Sequence, residues 1–218
     1  MNSKSKSGIA VAIAWPETLC KQPGAWYDSI TALLGINKGH YYKVGHAALL
    51  LIDLNKKEAH YYDFGRYHSP FQYGRVRSAV TDHDLKIITP VSFSDGEVDN
   101  IRTILQELNN NKSCHGDGLL VASETNINFE SAQEKVLELQ NASPLKYGPF
   151  IINGTNCSRF VNTALLAGKP NLYQQLLLRL TASPTPMWNI KSLGGQIILR
   201  KLGHETHCLE NPYIPLQQ

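Results

Sequence analysis

No run of this sequence is apolar for long enough to cross a membrane as a helix. The apolar stretch at 8–15 is short, stops at Trp15-Pro16 and lacks a small-residue cleavage pattern, so it reads as a buried strand and not as a leader. That reading places the protein in the cytoplasm and leaves the sequons at Asn111, Asn141, Asn153 and Asn156 little weight. Charge is sparse, 18% of residues with a net +3, and no basic run carries interleaved aromatics, which argues against nucleic acid as a partner. Cysteine is scarce too. The four (Cys20, Cys114, Cys157, Cys208) include no CxxC pair, so neither a zinc ribbon nor a dense disulfide framework fits, and reduced thiols are expected. There is no GxGxxG and no phosphate loop, since Gly168-Lys169 ends a helix instead of starting one. No cofactor is expected. Five histidines fall between 40 and 83 (His40, His46, His60, His68, His83), without the helical i, i+4 spacing of a metal motif. His204-x-x-His207-Cys208 resembles a ligand string but sits in a loop-like tail, so no metal is expected.

What is present is the pattern of one soluble domain. Hydrophobic residues make up 42% of the 218, enough for a sizeable core. Gly8–Trp15 reads as a strand and 26–34 as a short helix. Val44–Asp53 is apolar on both faces and reads as a central strand. After a polar turn at 54–57, Glu58–Phe64 returns to close a hairpin. Residues 65–83, with Arg66, Arg75 and Arg77, form an excursion that lies over a cleft. A strand follows at Asp84–Ile88, then a helix capped by Ser94 and running to about Asn109, a strand over Gly116–Ala122 and a helix over Phe129–Leu139. Asn171–Leu180 is a helix broken at Ser183–Pro186, and Gly195–Lys201 a last strand or helix end. No repeat or linker divides the chain. The expectation is a single domain over 1–218, with 1–7 and 203–218 as flexible ends, in the α+β class: a central antiparallel sheet with helices packed around it.

Chemistry concentrates in Gly148–Lys169. An apolar run stops at the turn pair Asn153-Gly154, Thr155 or Asn156 is a helix N-cap, and Phe160, Val161, Ala164, Leu165 and Leu166 recur at helical spacing up to Gly168. Cys157 therefore falls in the first turn of an amphipathic helix. Unpaired N–H groups and the helix dipole stabilise a thiolate there. His46 opens the central strand, and an imidazole on a strand facing a helix-start thiolate is the activation geometry of a cysteine nucleophile. A third group orients the imidazole. If Asp53 pairs with Glu58, Asp63 lies diagonal to His46 on the same face. A register in which Asp53 meets Lys56 places Asp63 directly opposite. His60 is the second candidate, on the other face or about 13 Å along the strand. Asp63 is equally eligible as a partner for Arg66. Trp15, ending the first strand, reads first as a packing residue and second as a lining of the cleft; it and Asn156, beside the thiol, are the candidate substrate contacts.

Gly45-His46-Ala47 opening an apolar strand, and Asn156-Cys157-Ser158-Arg159-Phe160-Val161 opening a later helix, resemble the circularly permuted papain-like hydrolases. That group includes permuted relatives of NlpC-type amidases and the lecithin–retinol acyltransferase-like proteins. Ordinary papain-like enzymes place Cys before His; here His comes first. The resemblance implies a permuted papain-like fold with Cys157 as nucleophile, His46 as base and a polar residue of the next strand as orienter. The acyltransferase-like members carry a second His in that third role, which here falls to Asp63 or His60. Their frequent membrane anchor has no counterpart in this sequence, and the segment 66–145 matches nothing in the resemblance. The function expected is a cysteine-dependent hydrolase or acyltransferase acting on an amide, ester or thioester bond of a small-molecule, peptide or lipid-like substrate, with peptidase or amidase chemistry favoured. The alternatives are a non-catalytic binding module that keeps the fold and, more weakly, a metal-binding protein.

Overall fold

Two apolar strands set the frame. β1 (Gly8–Trp15) and β2 (His46–Asp53) pair antiparallel along their whole length, from Gly8 opposite Asp53 to Trp15 opposite His46. They belong to a computed structural model that describes residues 6–21, 37–38, 41–42, 45–202 and 205–209; the helix expected over 26–34 lies outside these. Side chains alternate across a strand, so a strand buried on both faces feeds two cores. Ala10, Ala12, Ala14, Ala47, Leu49 and Leu51 enter one core; Val11, Ile13, Trp15, Ala48, Leu50 and Ile52 enter the other.

The hairpin that continues from β2 takes the Asp53–Glu58 register. Asp53 Oδ1 accepts from the N–H groups of Asn55 (2.9 Å) and Lys56 (3.1 Å), which closes the turn and sets Asp53 opposite Glu58 in β3 (Glu58–Gly65). Asp63 consequently pairs with Ala48, one step along from His46 on the same face. β4 (Tyr73–Arg77) lies against the end of β3, with Arg77 opposite Asp63. The excursion expected over 65–83 is thus part strand, and only its first residues line the cleft described below.

The other side of β1 carries β5 (Leu119–Ile127). With β6 (Leu145–Lys146), β7 (Ile197–Leu202) and β8 (Glu205–Leu209), the eight strands run in the order β6-β4-β3-β2-β1-β5-β7-β8, every neighbour antiparallel. The tail expected to be loose from 203 instead contributes β8, whose backbone satisfies the N–H and C=O groups that the edge of β7 would otherwise leave open.

Among the described residues five α-helices pack around this sheet. α1 (Ile101–Asn110) covers one face through Ile101, Ile104, Leu105 and Leu108. The opposite face takes α2 (Phe129–Asn141), α3 (Cys157–Ala167), α4 (Leu172–Arg179) and α5 (Pro186–Leu193). Full burial of a residue such as Phe160 or Leu165 contributes about 1.5–3 kcal/mol. The small alanines of β1 let these helices approach closely.

Two expectations fail here for local reasons, and a third needs an addition. Asp84–Ile88 is not a strand: His83–Leu85 is a 3-10 turn, and the N–H groups of Ile88 and Thr89 donate to the Glu107 carboxylate instead of to a neighbouring strand. Ser94 caps no helix. Phe93–Ser94 and Glu97–Val98 form a small hairpin whose loop residues Asp95 and Gly96 have φ of 52° and 83°, the Asp-Gly loop preference, and α1 starts only after Asn100. Ser183–Pro186 breaks one helix but also begins α5, with Thr185 accepting from Trp188 N and Pro186 in the first turn.

Candidate active site

β2 and α3 bring their ends together. Gly45 precedes His46 with φ of 73°, and a Cβ there would lie 2.8 Å from the Trp15 carbonyl oxygen, so only glycine lets the chain enter β2 this close to β1. Asn156 caps α3: its Oδ1 accepts from Arg159 N at 2.8 Å, which leaves the N–H groups of the first turn, Cys157 among them, without helical partners. Cys157 and His46 are each 6% exposed. The imidazole lies close enough to the Cys157 thiol and to the Asp63 carboxylate for each to act on its charge. Its Nε2 lies 3.5 Å from Asp63 Oδ2 and 3.4 Å from the Tyr67 hydroxyl.

Asp63 is fully buried and heavily bonded. Arg77 donates through Nε to Oδ1 (2.9 Å) and through Nη2 to Oδ2 (2.5 Å), and the Tyr61 hydroxyl donates to Oδ2 (3.1 Å). Arg77 also donates to the Ser113 carbonyl at 2.9 Å and stacks 3.5 Å from the centre of the Tyr67 ring. Arg66, weighed as the partner of Asp63, lies instead 5.2 Å over the Tyr147 ring.

These contacts set the charges. Burial alone would push the His46 pKa down, but the Asp63 and Cys157 hydrogen bonds and their negative charge outweigh it and raise it to about 9. Burial would raise the Cys157 thiol; the His46 ring, the Ala47 backbone N–H and the Ser158 hydroxyl reverse that and bring it below its ordinary value. Burial also opposes ionisation of Asp63, and His46 and Arg77 together overcome it and lower its pKa. The favoured state is therefore a thiolate–imidazolium pair backed by a carboxylate and a guanidinium. Cys114, the other buried free thiol among the described residues, is pushed up to about 12 by burial and stays neutral.

The two remaining candidates divide. Trp15, expected to line the cleft, is fully buried and cannot contact a substrate. It supports the site from behind: its indole stacks on the His46 ring with centroids 5.9 Å apart, and its Nε1 donates to Asn109 Oδ1 at 2.9 Å. His60, the second candidate for orienter, points to the opposite face, 3.6 Å from Glu58 Oε2 and beside Phe129, and does not join His46. Asn156 remains beside the thiol, with its oxygen engaged as the cap. Sequence reading missed Arg77 and Tyr67, which reach His46 only through the β3–β4 pairing and the loop between those strands. An arginine alternating with apolar residues in Tyr73–Arg77 was the one available signal.

A cleft of about 240 Å³ opens over His46, lined also by Leu19, Arg66, Tyr67, His115 and Tyr147. A larger cavity of about 420 Å³ runs between the free edge of β3 and residues 85–91; it is lined by His60 but by neither Cys114 nor Cys157. Among the described residues no helix is long and apolar enough to cross a membrane, and no group of three or more His, Cys, Asp or Glu side chains is arranged to hold a metal ion.

A family model described as type VI secretion system effector TseH-like matches residues 10–172, a span that contains His46, Asp63, Arg77 and Cys157. The crystal structure of the type VI secretion system effector TseH aligns over 95% of this chain and 100% of that chain, with a TM-score of 0.60 and 16% sequence identity, a likeness of fold. No curated protein matches the sequence.

Proposed function

The chain belongs to the TseH-like family of type VI secretion system effectors, and from that premise we propose that it is a cysteine-dependent hydrolase of the amidase or peptidase type. The strand-before-helix order of imidazole and thiol goes with a permuted papain-like fold. The observation that carries the proposal is a buried imidazole 3.5 Å from the Asp63 carboxylate, beside a thiol at a helix start whose pKa it lowers. In this reading the Cys157 thiolate attacks the carbonyl carbon of the scissile bond, forming a C–S bond. The N–H groups of the first turn of α3 stabilise the oxyanion, a contribution of about 10²–10³ in rate per donor at comparable sites. His46 gives its proton to the leaving nitrogen as the C–N bond breaks, then takes one from the water that resolves the thioester. Asp63 holds the ring so that it faces the sulfur. As a secretion effector the protein would act after delivery, which is more than the cytoplasmic location expected from the sequence.

The test is hydrolysis of a panel of peptide amides, esters and thioesters by the native chain and by Cys157→Ala. Loss of about 10³-fold or more in turnover, with unchanged far-UV circular dichroism, is expected. Turnover retained by Cys157→Ala would remove the proposal. A thiol that reacts with alkylating agents only after denaturation would favour a non-catalytic binding module.

A further inference from the structure

Charge at the site is nearly self-cancelling. The Cys157–His46 pair and the Asp63–Arg77 pair each sum to zero in their favoured state. Among the described residues that line the cleft one fixed cation is left over. Arg66 lines the same cleft as His46, one residue before Tyr67, whose hydroxyl lies 3.4 Å from the imidazole. Its guanidinium rests on the Tyr147 ring at 5.2 Å, and among the described residues it makes no ion pair. Among the described residues that line the cleft none is a carboxylate; the neighbouring cations each have a partner, Arg77 on Asp63 and Arg75 on Asp82 at 2.6 Å. His115, stacked on Tyr67, has its pKa lowered by burial and by Arg77, which keeps it neutral.

A planar guanidinium seated on an aromatic face keeps its N–H fork free for a planar anion. Being half-buried and unopposed, it also favours a negative group in the cleft beside it. We propose that Arg66 is a specificity residue of this site, and that the acyl substrate carries a carboxylate close to the bond under attack. The inference rests on the cysteine-hydrolase reading and adds the charge of the substrate to it.

The probe is a matched pair of thiol reagents, iodoacetate and iodoacetamide, which differ in one negative charge next to the reacting carbon. The measured quantity is the ratio of their second-order rate constants at Cys157 in the native full chain, with the site identified by peptide mapping. Arg66→Gln is expected to lower the iodoacetate-to-iodoacetamide ratio about tenfold at low salt, the size expected of one partly screened charge a few ångströms away. Arg66→Lys should restore most of it, and added salt should shrink the wild-type preference. A ratio that is the same in wild type and Arg66→Gln overturns the inference and leaves the hydrolase reading standing, with Arg66 only holding Tyr147. A Cys157 inert to both reagents removes the reading on which the inference rests, and the inference with it. Protection of Cys157 against iodoacetamide by inorganic phosphate but not by acetate would overturn the carboxylate assignment.

Discussion

Asp63→Asn isolates the charge that supports the site. The wild-type carboxylate is fully buried and accepts from Arg77, Tyr61 and His46 at once, all of them donors. An amide keeps the shape but turns one acceptor into a donor and removes the negative charge. Arg77, only 4% exposed, is then a buried cation without a counter-ion. Breaking a buried pair from one side costs about 3–5 kcal/mol, a large part of a total stability of about 5–15 kcal/mol. In urea, with a slope of about 2–3 kcal/mol/M for a chain of this size, the midpoint should fall by about 1–2 M. The pH dependence should change shape as well. Asp63 has a lowered folded pKa, so its contribution is present above the ordinary value of 3.8 and is lost as pH falls through the folded value; the variant lacks that acid limb. His46 has a raised one, so its contribution is complete below 6.5 and is lost as pH rises through about 9; in the variant that loss moves to lower pH. Should Asp63→Asn fail to fold, Asp63→Asn with Arg77→Gln removes both charges and should recover most of the stability without restoring the reactive thiol. A midpoint within about 0.3 M of wild type, together with an unshifted Cys157 titration, would refute the account of a buried charge relay.

Alkylation of Cys157 by iodoacetamide should stay fast well below the reference thiol pKa of about 8.5, and His46→Ala should move its titration up toward that value. Turnover should be bell-shaped in pH, falling above about 9 as the imidazolium that protonates the leaving group is lost. Gly116→Ala would set a Cβ 2.1 Å from Trp15 Cε2; the overlap should cost about 1–3 kcal/mol in urea denaturation and, by shifting the indole off His46, slow Cys157 alkylation at neutral pH. An alanine variant as stable and as reactive as wild type would mean that Trp15 does not position the imidazole.

The sequence by itself determined the frame and the central pair of the site. The apolar β1 and β2, the Asp53 turn that fixes the β2–β3 register, and the Asn156 cap that puts Cys157 at a helix start are all local: each depends on residues within a few positions of one another. Side-chain alternation offered Asp63 for the His46 face in two registers, with His60 as the alternative, and the structure took the Asp53–Glu58 register. Only the tertiary structure decided what surrounds that pair. Arg77 as the carboxylate's partner, Trp15 stacked behind the imidazole with Gly116 against it, and Arg66 left unopposed over Tyr147 all join segments far apart in the chain. Arginines at 66, 75 and 77 read alike in sequence; the pairing of β4 with β3 buries one against Asp63 and leaves another facing the cleft. Local pattern fixes which way a side chain points, but its charge partner is whatever packing brings within a few ångströms, and electrostatic energy depends on that distance and on burial.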